Sequence, residues 1–168
     1  SNEPIENPHQ PKLSDLWTII FTSGTTGNPK GVMLTYQAID GIKVVLDDPN
    51  NPLGIKHTGN NDFISYLPLN HIFERVVIEW CSFRYGGTIS FVESIETFGQ
   101  NLKEVQPHVF AAAPRVWTKL QMGILSKFPQ KKLDTLLKIP LFSTILKKLI
   151  RKGLGFSRVR VTVSGSAP

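Results

Sequence analysis

Residues Thr22 to Gly31, TSGTTGNPKG, place three glycines, four hydroxyl side chains and one lysine within ten positions. Glycine lets backbone N–H groups approach an anion with no Cβ in the way, hydroxyls add donors, and Lys30 adds a full positive charge. That set of groups suits a polyphosphate. The order differs from a Walker A loop, which has a glycine directly before its lysine and Ser or Thr directly after; here Lys30 stands between Pro29 and Gly31. An ordinary P-loop ATPase is disfavoured, and the plain alternative is a Gly/Thr-rich surface turn.

Three further segments carry polar groups beside apolar runs. In YLPLNHIFER, Tyr66 to Arg75, Pro68 ends a strand and Asn70 and His71 stand where a helix begins, able to aim polar atoms at a ligand. A lone histidine is more often a structural hydrogen bonder, and Glu74 and Arg75 pair most simply with each other or with helix neighbours. AAAPRVWTKL, Ala111 to Leu120, puts small alanines ahead of a helix; close approach of a ligand and tight packing with Arg115 in a salt bridge are equally good readings. In VSGSAP, Val163 to Pro168, a glycine between two serines exposes peptide edges that can lie along a flat ring.

The elements that must position these groups follow from periodicity. Leu16 to Thr22 reads as a buried strand, and the run from Lys30 as a turn leading to a helix with Ile39, Ile42 and Leu46 on one face. After a long loop from Asp47 to Asp62, Phe63 to Leu67 reads as a strand. A helix with Ile72, Phe73, Val76, Val77, Trp80 and Phe83 on its inner side comes next, broken by Gly86 and Gly87. Thr88 to Val92 is then a strand, and Thr97 with Gln100 forms a capping box for a helix that buries Phe98, Leu102 and Val105. Val109 to Ala112 is a short buried strand. Pro114 opens a helix with Val116, Trp117, Leu120 and Ile124 inward, two basic helices split by Pro140 follow, and Val159, Val161 and Val163 alternate as a last strand. Such alternation predicts an α/β fold, a mainly parallel sheet flanked by helices, with ligands beyond the carboxyl ends of its strands.

Composition agrees with a folded domain: 168 residues, 40% apolar and 19% charged. No apolar run reaches the roughly twenty residues of a membrane span. Cys81 has no second cysteine to pair with and falls in an apolar helix pattern, so a buried thiol in a reducing, cytoplasmic compartment is expected. Residues 1–15 read as a linker or an added segment. Net charge is +6, yet residues 1–126 sum to −3 and residues 127–168, with ten Lys/Arg against one acid, to +9. Within that basic quarter Leu141, Phe142, Ile145, Leu146, Leu149 and Ile150 form a stripe, with Lys147, Lys148, Arg151 and Lys152 largely off it. The expectation is a core-packing helix with a solvated basic face; the alternative is peripheral contact of residues 127–160 with the inner, anionic face of a membrane. Nucleic acid is disfavoured because no aromatic platform accompanies the charge.

Taken in order, the four segments resemble the adenylate-forming, AMP-binding superfamily. The glycine-threonine loop resembles its phosphate loop, and YLPLNHIFER and AAAPRVW resemble the long-chain fatty acid CoA ligases, over the span Leu16 to Pro168. The resemblance implies a partial AMP-binding domain over 16–168, with the rest of that domain and a mobile C-terminal domain lying elsewhere in the parent chain. It also implies ATP, Mg2+ and coenzyme A as partners of a long-chain fatty acid. Thr22, Ser23, Gly24, Thr25, Thr26, Gly27 and Lys30 would hold phosphates, with Thr22 also a magnesium ligand; Lys30 and His71 would serve catalysis. Gly165, Ser166 and Ala167 would border adenine. In some members a tryptophan gates the acyl tunnel near the position of Arg75, and here no gate is assigned. The resemblance further implies that the 168 residues alone are inactive, since the downstream Thr-Glu segment, ribose aspartate and mobile lysine have no counterpart. Two other readings stand beside it: a non-catalytic nucleotide- or membrane-binding module, and an adenylating enzyme for another carboxylic acid.

Overall fold

The computed structural model describes residues 6–22, 27–48, 55 and 59–165, and the chain forms two compact units, Ser1–Asn51 and Pro52–Pro168. In the first, β1 (Leu16–Thr22) and β2 (Lys30–Thr35) pair antiparallel, with Thr22 opposite Lys30, and α1 (Tyr36–Leu46) follows. The helix buries Ile39 and Leu46 as their spacing predicts. Two expectations need correction. Lys30 opens a strand rather than sitting in a turn, and β1 is largely exposed: Ile20 is buried, while Leu16, Ile19 and Phe21 are not. An apolar run of six reads as a strand covered on both faces, but a two-stranded ribbon covers little of itself. The second strand was obscured by Gly31, whose missing Cβ leaves room for the side chains of Phe21, opposite it, and Ile19, diagonally across the ladder.

The second unit holds a four-stranded parallel sheet in the order β4–β3–β5–β6, built from β3 (Asn61–Ser65), β4 (Gly87–Phe91), β5 (Val109–Ala112) and β6 (Val161–Ser164). The α/β expectation holds, and the hairpin stands outside this sheet. From β3 the chain crosses one way to β4 and then twice the other way, so right-handed crossovers put the first connecting helix on one face and the later helices on the opposite face.

That first connection is π-helical over Glu74–Trp80 and α-helical over α2 (Cys81–Tyr85), and it packs on β3 and β4. Its buried side is Glu74, Val77, Ile78, Cys81, Ser82 and Tyr85, whereas Ile72 and Phe83 are exposed. The wider π turn rotates the inward face away from the one that α-helical spacing selects. Cys81 is buried as expected, and burial pushes its thiol up to about 12.

On the other face lie α3 (Phe98–Val105), α4 (Pro114–Lys127), α5 (Gln130–Lys138) and α6 (Pro140–Leu154). Ile64, Leu102, Phe110, Ala112, Phe156 and Val159 form the core there, with Phe98, Val105, Val116, Trp117 and Leu120 against it. Phe110 is its centre, with ring centroids 4.8 Å from Phe156 and 5.2 Å from Trp117. The predicted capping box at Thr97 does not form. The Thr97 hydroxyl bonds instead with Ser94 and Asn101, and the Gln100 amide donates to Glu104 at 2.8 Å; such local side-chain bonds compete with capping.

The α6 expectation holds only in part. Leu146 is buried, but Leu141, Phe142, Ile145 and Leu149 are 70, 54, 50 and 57% exposed. The helix leans on the core by its Ser143 and Leu146 side, leaving a second apolar ridge uncovered beside Lys148 and Lys152. Among the described residues no helix is long and apolar enough to cross a membrane.

Candidate functional site

The glycine-threonine loop closes the β1–β2 hairpin. Thr22 and Lys30 face each other at its base, and the Thr22 hydroxyl reaches the Lys30 carbonyl at 3.5 Å. Gly27, at φ +82°, takes a left-handed conformation that favours glycine, and a Cβ there would meet no atom within 4 Å among the described residues. Thr22, Gly27 and Lys30 are all exposed. Ser23, Gly24, Thr25 and Thr26, and likewise Ser166 and Ala167, lie outside the described residues. Among the described residues no group of three or more His, Cys, Asp or Glu could cage a metal ion. Magnesium, which keeps waters and phosphate oxygens as most of its ligands, fits one exposed hydroxyl such as that of Thr22 better than a protein cage.

In the second unit, β3 ends at Ser65 and the chain turns through Pro68 into the π-helical segment. The His71 N–H donates to the Pro68 carbonyl at 2.8 Å, and the His71 carbonyl accepts from the amides of Glu74 and Arg75 at 3.0 and 3.1 Å. These bonds hold His71 at the head of the helix. Its ring is oriented as well: Nδ1 accepts the Phe73 amide at 3.2 Å. A ring nitrogen that accepts carries no proton, so the neutral imidazole has its proton on Nε2. His71 therefore offers an N–H donor on the side away from its own backbone.

The turn after β6 comes close to this one. A Cβ on Gly165 would lie 3.2 Å from the Phe73 ring, so the absence of a side chain there lets the VSG turn rest on the residue that orients His71. After β5, Ala111 and Ala112 are buried, and the Trp117 indole donates to the Ala112 carbonyl at 3.2 Å. Arg115 is exposed and makes no ion pair among the described residues, so the salt-bridge reading fails there while tight packing of the alanines stands. Near the same strand ends, an apolar groove of about 550 Å3 is lined by Tyr66, Leu67, Pro68, Ile95, Phe98 and Lys119, among others. Its volume is that of a small-molecule site. The Tyr66 hydroxyl is committed to the Ala111 carbonyl at 3.0 Å, and burial together with the charge of Glu74 pushes it up to about 12.

Sequence reasoning missed Glu74 as a buried group. Arg75 pairs with Glu79 at 2.6 Å, leaving Glu74 1% exposed with no hydrogen-bond partner at either carboxyl oxygen. Burial raises its pKa; the Ser65 hydroxyl and the amides of Leu67 and Tyr66 lower it in part, from positions short of full hydrogen-bond geometry. The only signal in the sequence was an acid three residues after His71, within an apolar helix pattern.

Comparison with known proteins decides the family. The model of the AMP-binding enzyme family matches residues 1–168. The chain belongs to the AMP-binding enzymes. This AMP-binding chain is 33% identical to long chain acyl-CoA synthetase 4 of Arabidopsis thaliana and 34% identical to long-chain-fatty-acid–CoA ligase 5 of Mus musculus. The matches cover 94 and 99% of the chain but 27 and 26% of those proteins, so it spans about a quarter of their length. Among solved structures it is similar to an ATP-bound RpMatB-BxBclM chimera (TM-score 0.59, 22% identity, 94% of this chain and 25% of that one). It is also similar to the N-terminal domain of FACL13 from Mycobacterium tuberculosis (TM-score 0.56, 18% identity, 100% of this chain and 34% of that one). At such identities these two establish the fold.

Proposed function

We propose that the full-length protein carrying this AMP-binding chain activates a long-chain fatty acid. A carboxylate oxygen attacks the α-phosphorus of ATP, the bond to pyrophosphate breaks, and the acyl-adenylate forms; the thiol of coenzyme A then attacks the acyl carbon and AMP leaves. Both reactants of the first step are anionic, so the site must neutralise them as they meet. The observation that carries the reading is His71. With Nδ1 taken by the Phe73 amide, its Nε2–H remains as the ring donor, in the turn that follows β3, and is suited to donate to charge developing on the carboxylate and α-phosphate. Lys30, with the loop from Thr22 to Gly27, would hold the β- and γ-phosphates, and the Thr22 hydroxyl would help hold a magnesium ion, which would supply Lewis-acid assistance. Gly165, with Ser166 and Ala167, borders adenine. The apolar groove beside Tyr66 and Phe98 is the candidate place for an acyl chain.

The test is ATP–pyrophosphate exchange by the full-length protein with acids of increasing chain length. Exchange that rises toward long-chain acids supports the reading. Exchange confined to short or aromatic acids gives the site to another carboxylic acid, and none with any acid leaves a non-catalytic nucleotide-binding module. The 168 residues alone are expected to form no acyl-CoA.

A second contact rests on the exposed ridge of α6. Four large apolar side chains project beside Lys148 and Lys152, in a segment with ten basic residues and one acid. We propose that the protein works in the cytoplasm, lying peripherally on an anionic membrane face through residues 127–160. Sedimentation of the full-length protein with phosphatidylserine vesicles, and loss of it in the quadruple serine variant at Leu141, Phe142, Ile145 and Leu149, is the expected result. Equal binding by wild type and variant refutes it.

A further inference from the structure

Glu74 is buried to 1% exposure with both carboxyl oxygens unpartnered, beside a cavity of about 160 Å3 whose other walls include Leu69, Ile78, Ile89 and Phe91. An apolar residue of similar size would fill this place without the cost of desolvating a carboxyl, so the acid calls for a use. The polar groups that act on it from the strand side are the Ser65 hydroxyl and the amides of Tyr66 and Leu67, which open the turn leading to His71. Its other end is tied to the same turn, because the Glu74 amide donates to the His71 carbonyl at 3.0 Å. Glu74 therefore spans the turn from its first residues to its last. The neighbouring cation Arg75 is engaged by Glu79.

We propose that Glu74 is a positioning residue for His71. Closure of the Ser65–Leu67 main chain onto the buried carboxyl completes the missing hydrogen bonds and locks the turn. Phe73 and the imidazole it orients are then fixed where carboxylate and α-phosphate meet. The inference rests on the acyl-activating reading above. It also explains why an unpartnered carboxyl is kept: stability is given up locally for placement of a reactive group.

Glu74→Leu and Glu74→Gln in the full-length protein test this, with pyrophosphate exchange and thermal melting measured on each and again in a His71→Ala background. Glu74→Leu is expected to lower kcat roughly ten- to hundredfold, the scale of a misplaced reacting group. KM for ATP should stay within about twofold and the melting temperature should be equal or higher, since a desolvated carboxyl has been removed. Glu74→Gln, which can still bond the turn, should retain most of the activity. In the His71→Ala background Glu74→Leu should cost nothing further. Full kcat in Glu74→Leu overturns the proposal. So does an equal loss with and without His71, or a loss that follows a lowered melting temperature in both variants. An active wild type with an active Glu74→Leu overturns this inference alone, whereas a wild type without exchange overturns the acyl-activating reading and this one with it.

Discussion

Replacing His71 in turn by glutamine, asparagine and alanine separates the two nitrogens of its ring. The Phe73 amide occupies Nδ1 at 3.2 Å, which leaves Nε2–H as the donor that the proposed reaction would use. The asparagine oxygen can take the Phe73 amide as Nδ1 does, in the manner of an Asx turn, but its side chain ends short of Nε2. Glutamine is one methylene longer, and its amide nitrogen reaches close to the Nε2 position. Losing a single donor to transition-state charge typically costs about 10²–10³ in rate, or roughly 2.7–4 kcal/mol. His71→Ala and His71→Asn should therefore fall by about that factor in kcat for acyl-adenylate formation, with His71→Gln recovering at least tenfold of it. Pyrophosphate exchange by the full-length protein at saturating ATP gives the rates, and ¹⁵N spectra of the imidazole report which nitrogen carries the proton. Asparagine matching or exceeding glutamine, or a resting ring protonated on Nδ1, would refute the reasoning.

The core makes its own prediction. Phe110→Ala removes a fully buried ring that meets Phe156, Trp117, Phe98 and Tyr66, and should destabilise by about 3–5 kcal/mol, read as a lower urea midpoint; a loss under about 1 kcal/mol would mean the cluster is not packed as described. His108 gives a pH dependence. Burial, then Arg158 and Arg160, hold its imidazole below the ordinary value, with Asp62 opposing them. A group depressed in the folded state takes up its proton first in the unfolded chain, so stability should drop as pH falls from about 6.5 through the lower folded value. His108→Gln should flatten that part of the melting-temperature profile, and an unchanged profile would sink the assignment.

Much of the parallel sheet could be read from the chain because its strands are short, apolar and bounded by proline or glycine, and its helices repeat at the right spacing. β5 and α4 came out at their expected positions for that reason. The errors share a cause. Leu16–Thr22 and the α6 stripe are apolar enough to be core, yet they are exposed, and periodicity gives the direction of an apolar face without naming what covers it. Glu74 shows the converse: it read as an ion-pair partner of Arg75 or of a helix neighbour, while the π-helical turn carried it inside.

By itself the sequence carried the family resemblance, in the order of its motifs, and the residue types of the candidate site, because backbone access, hydroxyl donors and a lysine within ten positions are a chemical inventory that suits a polyphosphate and needs no coordinates. Tertiary structure alone decided which nitrogen of His71 is a donor, that the Gly165 turn rests on Phe73, and that a carboxyl lies buried beneath the same turn. Those depend on groups far apart in the chain, or on the pitch of a helix, meeting within a hydrogen bond's reach; spacing along the chain cannot specify such distances.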